Sequence, residues 1–229
     1  FGPDTYLHVI RDGLKLHEIN HCIVTHGHCD HFYATDLMMK ARPYAQSGSA
    51  APFHVYGTKR IGELYKRMRD VDDDCENLDD CVKLSEIYPF QPFSVLNYRV
   101  TPLRAAHDPA ECCLIFLIED EAGKTLLYGN DTAYFPEETW EQLRGRRLDL
   151  VSLDCTMGIM GDGATHMGWN GDVRTKERLE AMGCVHDNTV FILNHFSHNC
   201  GHGLSHEEME ALAAPKGFLV ACDGFTAEV

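Results

Sequence analysis

His26-Gly27-His28-Cys29-Asp30-His31 places four ligand-type side chains, His26, His28, Asp30 and His31, within six residues. Imidazole and carboxylate are donors for Zn²⁺, and equally for Mn²⁺ or Fe. The motif follows the apolar run Cys22-Ile23-Val24, which reads as a buried strand. A chain that leaves a strand and turns can aim alternate side chains inward, at one or two ions. The plainer alternative, a His-rich polar turn, does not account for this spacing directly after an apolar strand.

Other groups of the same chemistry stand singly along the chain, each just past an expected strand end: His107, Asp131, Asp154 and His195. If those strands lie side by side, their ends converge on one edge. Two adjacent divalent ions need about eight protein or water ligands at four apiece. His26, His28, Asp30, His31, His107, Asp131 and His195 supply seven side chains. Such an ion pair, about 3.5–4 Å apart, can hold a bridging hydroxide at neutral pH and polarise an electrophile.

The elements that must position these groups alternate. Residues 21–25, 53–56, 98–106, 112–118, 125–128, 148–153, 189–193 and 218–221 read as strands. Residues 32–41, 58–69, 136–143 and 173–182 read as helices, and Ser205-His206-Glu207-Glu208 is a capping box opening another. The acidic stretch 70–80 reads as a solvated loop or helix start, since it lacks the Gly and terminal Glu of a Ca²⁺ loop. The fold class is α/β. No repeat or linker interrupts residues 1–229, so one domain is expected. Phe1-Gly2-Pro3-Asp4 reads as the end of a strand plus its turn, so a segment upstream of Phe1 is expected.

Composition narrows the partners. At 44% hydrophobic and 24% charged residues, the chain reads as a soluble globular protein. No apolar run approaches the roughly 18 residues of a membrane helix. A net charge of −15 disfavours a long nucleic acid. A small anionic substrate stays open, because bound metal ions invert the local field. The ten cysteines lack regular spacing, and several lie in apolar runs, which points to free thiols and a cytoplasmic location. A homodimer is compatible with the sequence.

His-x-His-x-Asp-His after a strand, then an isolated His, an isolated Asp and a late His, resembles the metallo-β-lactamase superfamily. The resemblance implies a four-layer αββα sandwich with a dinuclear site at one edge of its two sheets. It implies His26, His28 and His107 on one metal, Asp30, His31 and His195 on the second, and Asp131 bridging. An Asp131 bridge points away from β-lactamases of the Cys-ligand type. The missing His-x-Glu-x-Asp pattern points away from flavodiiron redox chemistry. Tyr128-Gly129-Asn130-Asp131-Thr132 with Tyr134-Phe135, and Leu193-Asn194-His195-Phe196-Ser197-His198, resemble the PhnP-type cyclic phosphodiesterase and ribonuclease Z branch.

Ala164-Thr165-His166-Met167-Gly168 is similar in position to the extra His of that branch. His166 would then protonate the leaving oxygen or bind the phosphoryl oxygen. The alternative is a His packed in a Gly-rich loop. His166 and Asp30 are the candidate catalytic residues, Asp30 being also a ligand. His198 resembles a ligand of a separate structural zinc, or else makes an orienting hydrogen bond to a ligand. Asp154, Asp108 and Asp4 are candidate orienting carboxylates, and Thr25 a hydrogen-bond partner of the motif. His21, His54, His202 and His206 read as surface, core or solvated residues.

The function implied is a dinuclear hydrolase of a small cyclic or nucleotide phosphodiester. The alternative is a metal-dependent carbon ester, thioester or lactam hydrolase. A tRNA-processing nuclease ranks lower on charge, and a non-catalytic scaffold lower because the seven ligands are all present.

Overall fold

Buried apolar side chains gather into two clusters, and the backbone divides with them into two units, Phe1–Tyr88 and Pro89–Val229. The computed structural model describes residues 1–45, 51–72, 75–198 and 204–229. Asp73, Asp74, Cys200 and His202 lie outside the described residues.

The first unit opens with helix α1, Thr5–Asp12, which ends on Gly13 in the left-handed region. Then come β1 (His21–Ile23), a 3₁₀ helix (Ala34–Lys40), β2 (Phe53–Gly57), α2 (Lys59–Asp72), α3 (Leu78–Cys81) and β3 (Val82–Glu86). The three strands pair in parallel, in the order β1-β2-β3, with Cys22 opposite Val55 and Val55 opposite Leu84. Parallel neighbours require crossovers, which the 3₁₀ segment and α2 provide. Phe53 and Val55 alternate inward and pack with Val24, Leu37, Ile61, Leu78 and Val82. Because the strands are parallel, their carboxyl ends share one edge. At that edge β1 delivers Thr25 and His26, and β2 delivers Thr58 and α2.

Three expectations need correction in this unit. Phe1 to Asp4 is not a strand end; Pro3 and Asp4 form a turn into α1, with the Thr5 amide donating to the Gly2 carbonyl at 3.1 Å. The helix expected over 32–41 is a 3₁₀ run, Ala34–Lys40. Strand β3 was not expected, because only Val82 of its five residues is buried and no apolar alternation marks it.

The second unit contains β4 (Phe93–Val95), β5 (Tyr98–Arg104), β6 (Leu114–Glu119), β7 (Thr125–Gly129), α4 (Glu137–Leu143), β8 (Leu150–Asp154), α5 (Trp169–Ala181), β9 (Val190–Asn194), α6 (His206–Ala213) and β10 (Phe218–Val220). They form one seven-stranded sheet in sequential order. Pairs β4 to β7 are antiparallel and pairs β7 to β10 parallel, with α4, α5 and α6 as the crossovers. Central strands are buried on both faces and read as continuous apolar runs, as in Leu114 to Leu117 and Phe191 to Leu193. Two antiparallel steps separate β5 from β7, so those two strands point the same way. The carboxyl ends of β5, β7, β8 and β9 therefore lie on one edge; Asp154 is the last residue of β8, and His107, Asp131 and His195 follow the other three.

Ser205 makes the expected capping box with Glu208 at the start of α6. Helix α5 begins four residues before the expected 173. Its first turn holds Gly171, a poor helix former, but the Asp162 carboxylate accepts the Gly168 and Gly171 amides at 3.2 and 2.8 Å. That cap comes from an earlier loop. Among the described residues no helix is long and apolar enough to cross a membrane.

Asp172, in the first turn of α5, is fully buried, and neither of its carboxylate oxygens takes a hydrogen bond among the described residues. Burial pushes this carboxyl well above its ordinary value of 3.8. A raised folded-state pKa means the contribution to stability is whole below pH 3.8 and is lost as pH rises through the folded value. Asn cannot ionise. Asp172→Asn is therefore expected to melt higher than the parent at pH 7, with a gap that closes near pH 3.5. Thermal melts across that range check this, and a constant gap would refute it.

Candidate metal centre

The motif is built from backbone contacts as much as from ligands. After β1, the Val24 amide donates to the Tyr56 carbonyl at 2.9 Å, carrying the strand pairing one residue further. His31 and Phe32 amides then both donate to the His28 carbonyl, at 3.0 and 2.8 Å, closing a tight turn. Gly2 lies against the outside of that turn, where a Cβ would collide with the Asp30 carbonyl oxygen. His26 is buried, and Thr25 Oγ1 lies 3.0 Å from its Nδ1, as expected. The remaining ring nitrogen, His26 Nε2, faces His28 Nδ1 at 3.1 Å. The His31 ring centroid lies 4.3 Å from that of His26. Asp30 is the exposed member, its carboxylate 3.4 Å from His31 Nε2. Three imidazoles and a carboxylate thus gather in the first unit.

In the second unit Asp131, Asp154, His166 and His195 bring ligand-type atoms within 4.8 Å of one another. Asp154 is fully buried but saturated. Its Oδ1 accepts the Thr156 amide at 2.8 Å, and its Oδ2 accepts the Thr132 amide at 3.0 Å and His166 Nδ1 at 2.8 Å. It orients the extra His and not one of the expected ligand His. That hydrogen bond, with the charges of Asp154 and Asp131, raises the His166 pKa, while burial and His195 oppose the rise. His166 sits 3.7 Å from Asp131 Oδ1.

Ring tautomers follow from the partners. A carbonyl only accepts, so His107 Nδ1, 3.0 Å from the Thr165 carbonyl, carries a proton and leaves Nε2 as the donor atom. Thr156 Oγ1 lies 2.8 Å from the His195 carbonyl and 2.7 Å from His195 Nδ1. The single hydroxyl proton must go to the carbonyl, so Nδ1–H donates to Oγ1 and Nε2 is the ring atom turned toward Asp131. His195 Nε2 lies 3.0 Å from Asp131 Oδ1, and His107 Nε2 lies 3.9 Å from Asp131 Oδ2. Each Asp131 oxygen thus faces a different imidazole.

Asp131 and His195 hold φ of 59° and 61°, a left-handed conformation costing a non-glycine residue about 1 kcal/mol or more. Hydrogen bonds on either side hold them there: Thr132 on Asp154, Ala133 on the Ala106 carbonyl at 2.8 Å, and Thr156 on the His195 carbonyl. The turn lifts each side chain off its strand end into the cluster.

Sequence reading missed Thr156, Thr132 and Asp162. Their only signal was proximity to strand ends and to the Gly-rich loop. The Asp108 carboxylate accepts the Ala110 amide at 2.8 Å in a local turn. His198 is exposed, and no ligand cluster among the described residues includes it. His21 and His54 stack with ring centroids 5.0 Å apart, and His206 lies 3.3 Å from Glu210 along α6.

The beta-lactamase superfamily domain model matches residues 3–196. Among solved structures, the metallo-beta-lactamase fold protein YhfI from Bacillus subtilis is similar, with TM-score 0.69 and 19% identity, over 98% of this chain and 83% of that one. Human tRNase Z, short form, gives 0.66 and 17%, over 86% and 80%. Zn²⁺-bound PqqB from Methylobacterium extorquens gives 0.64 and 18%, over 100% and 81%. At these identities the likeness is one of fold. No curated protein matches the sequence.

Thr156→Val removes the acceptor that fixes the His195 ring, whereas Thr156→Ser keeps it. In metal-free protein, nitrogen NMR is expected to show His195 protonated at Nδ1 in the parent and the Ser variant, and a tautomer mixture in the Val variant. Zinc affinity should fall about tenfold or more in the Val variant alone. A His195 without a proton on Nδ1 in the parent would refute the assignment.

Proposed function

Because this chain belongs to the beta-lactamase superfamily, whose domain model spans residues 3–196, we propose that it is a dinuclear phosphodiesterase acting on a small cyclic or nucleotide phosphodiester. Family membership and the His/Asp clusters support a metal-dependent hydrolase. The phosphodiester is the finer reading. It rests on His166, an imidazole held by Asp154 at 2.8 Å inside the ligand cluster, with Nε2 left for a reacting group.

By the family resemblance His26, His28 and His107 would hold one ion, Asp30, His31 and His195 a second, and Asp131 would be shared. Imidazole and carboxylate suit Zn²⁺ or Mn²⁺, and Fe also; zinc-bound PqqB has the same fold. When bound, such ions supply a water made acidic near neutrality and an electrophilic grip on a phosphoryl oxygen. The chain's own groups supply the proton transfers. His166 gives a proton to the departing alkoxide oxygen, and Asp154 fixes the ring that gives it. Asp30 is the exposed carboxylate available to take a proton from the attacking water.

A carbon ester or thioester would use the same ligands. A thiolate leaves without a proton, so His166 would have no task there. The fold shared with human tRNase Z raises a nuclease reading, but a net charge of −15 opposes a long RNA. The nine free cysteines among the described residues support a reducing, cytoplasmic setting for the reaction.

Zinc- or manganese-loaded protein is expected to hydrolyse bis-p-nitrophenyl phosphate in preference to a thioester; the reverse preference would overturn the phosphodiesterase reading. His166→Ala should lower kcat about 100-fold or more on a poor leaving group with metal content intact. Asp131→Ala should instead cost at least one equivalent of metal.

A further inference from the structure

His166 stands three residues before α5, near the end of the loop that leaves β8. Asp154 holds its ring, but a ring keeps such a contact only if its backbone is held too. Two hydrogen bonds hold the next residue: the Met167 amide donates to the Thr132 carbonyl at 3.0 Å, and the Met167 carbonyl accepts the Met157 amide at 3.0 Å. The His166 carbonyl itself accepts the Gly163 amide at 2.9 Å. That bond fixes His166 only as firmly as Gly163 is fixed, and Gly163 has no side chain. Its neighbour Asp162 supplies the anchor.

Asp162 Oδ1 accepts the Gly168 and Gly171 amides at 3.2 and 2.8 Å. Gly168 is the N-cap residue of α5 and has no side chain with which to satisfy the amides of the first turn. Asp162 does this from six positions upstream, with its charge at the positive end of the helix dipole. Residues 162–168 therefore close into a ring. Its mouth is pinned by Gly168 on Asp162, and it is braced across by Gly163 on His166. The fit is close. A Cβ on Gly168 would meet the Gly158 and Gly161 carbonyl oxygens at 2.7 and 2.9 Å, and one on Gly171 would meet Asp162 Oδ1 at 2.5 Å. Asp162 Oδ2 also pairs with Arg174 at 2.8 Å, but that arginine is exposed, so the pair adds little.

We infer that Asp162 is a positioning residue for His166: it ties the loop to the first turn of α5 and so sets where the imidazole meets the reacting oxygen. The inference rests on the reading of His166 as the proton donor. Among the described residues Asp162 bonds neither to His166 nor to a ligand-type side chain, so it acts through the backbone ring alone. A donor displaced by about 1 Å can lose about 100-fold in rate, which is why a loop that carries one needs such a tie. Arg174 shares only the outer oxygen, so the Oδ1 contacts carry the effect.

The test begins with metal-free protein. The His166 Nδ1 proton, bonded to Asp154, is followed by NMR, with His166→Ala assigning its resonance. Asp162→Ala is expected to speed its exchange with water about tenfold or more, because the loosened loop opens that bond. Asp162→Asn keeps an oxygen for the two amides and should restore the parent rate. Arg174→Gln removes only the outer contact and should match the parent. Gly171→Ala displaces the Asp162 carboxylate while placing a better helix former in α5, so it keeps the test valid if Asp162→Ala fails to fold, and it should exchange as fast. A cap without a positioning role would lower the melting temperature of Asp162→Ala and leave the His166 proton unchanged. That result, or a Gly171→Ala that exchanges like the parent, overturns the inference. With metal restored, Asp162→Ala should lower kcat on cyclic AMP, whose alkoxide needs a proton, about tenfold or more at unchanged KM. The rate on bis-p-nitrophenyl phosphate, whose leaving group departs unaided, should stay near the parent value. Equal losses on the two substrates would also overturn it. If the parent cleaves neither phosphodiester, the hydrolytic reading fails, and the exchange measurement alone decides whether Asp162 positions His166.

Discussion

The buried carboxylate of Asp154 accepts from three directions at once: the Thr132 amide, the Thr156 amide and the His166 ring. Each donor belongs to a different piece of the second cluster. Thr132 follows Asp131 in the turn after β7. Thr156 opens the loop after β8 and holds the His195 ring. His166 stands at the far end of that loop. A fully buried carboxylate is tolerable only when its lone pairs are taken, so the three segments are held to it by the cost of leaving it unsatisfied. Strained turns at Asp131 and His195 persist because these contacts over-determine them.

The first unit reaches its cluster by another route. There the turn is closed by the His28 carbonyl, and its outer side is fixed by Gly2, where any side chain would strike the backbone of Asp30. Parallel pairing then sets direction. In both units strands that run the same way end at the same edge, so ligand-type residues far apart in sequence need only follow a strand to become neighbours. The family match over residues 3–196 and the similarity to YhfI and PqqB accord with that architecture.

Elements with strong local signals were legible. The apolar runs at 114–118 and 190–193 are strands, and the Ser205 box caps α6. Elements defined by their neighbours were not. Strand β3 shows four exposed residues of five, and it is a strand because β2 offers it a free edge. The start of α5 is fixed by Asp162, seven residues before Trp169, which no local propensity reports. Residues 1–4 carry Gly and Pro in an order that suits a strand end and a turn alike, and only packing against Asp30 resolves them.

Residue identity was enough to name the donors, because imidazole and carboxylate side chains at this spacing have few other uses, and His26, His28, Asp30, His31, His107, Asp131, His166 and His195 were all visible in the chain. Their roles were not. Which nitrogen of His107 and His195 carries the proton depends on the Thr165 carbonyl and the Thr156 hydroxyl, and both contacts span dozens of residues. Asp154 looked like any strand-end carboxylate until its three donors showed that it serves His166. A side chain's chemistry is local and is written in its residue type. Its protonation, orientation and partner are set by whichever atoms the fold brings to it.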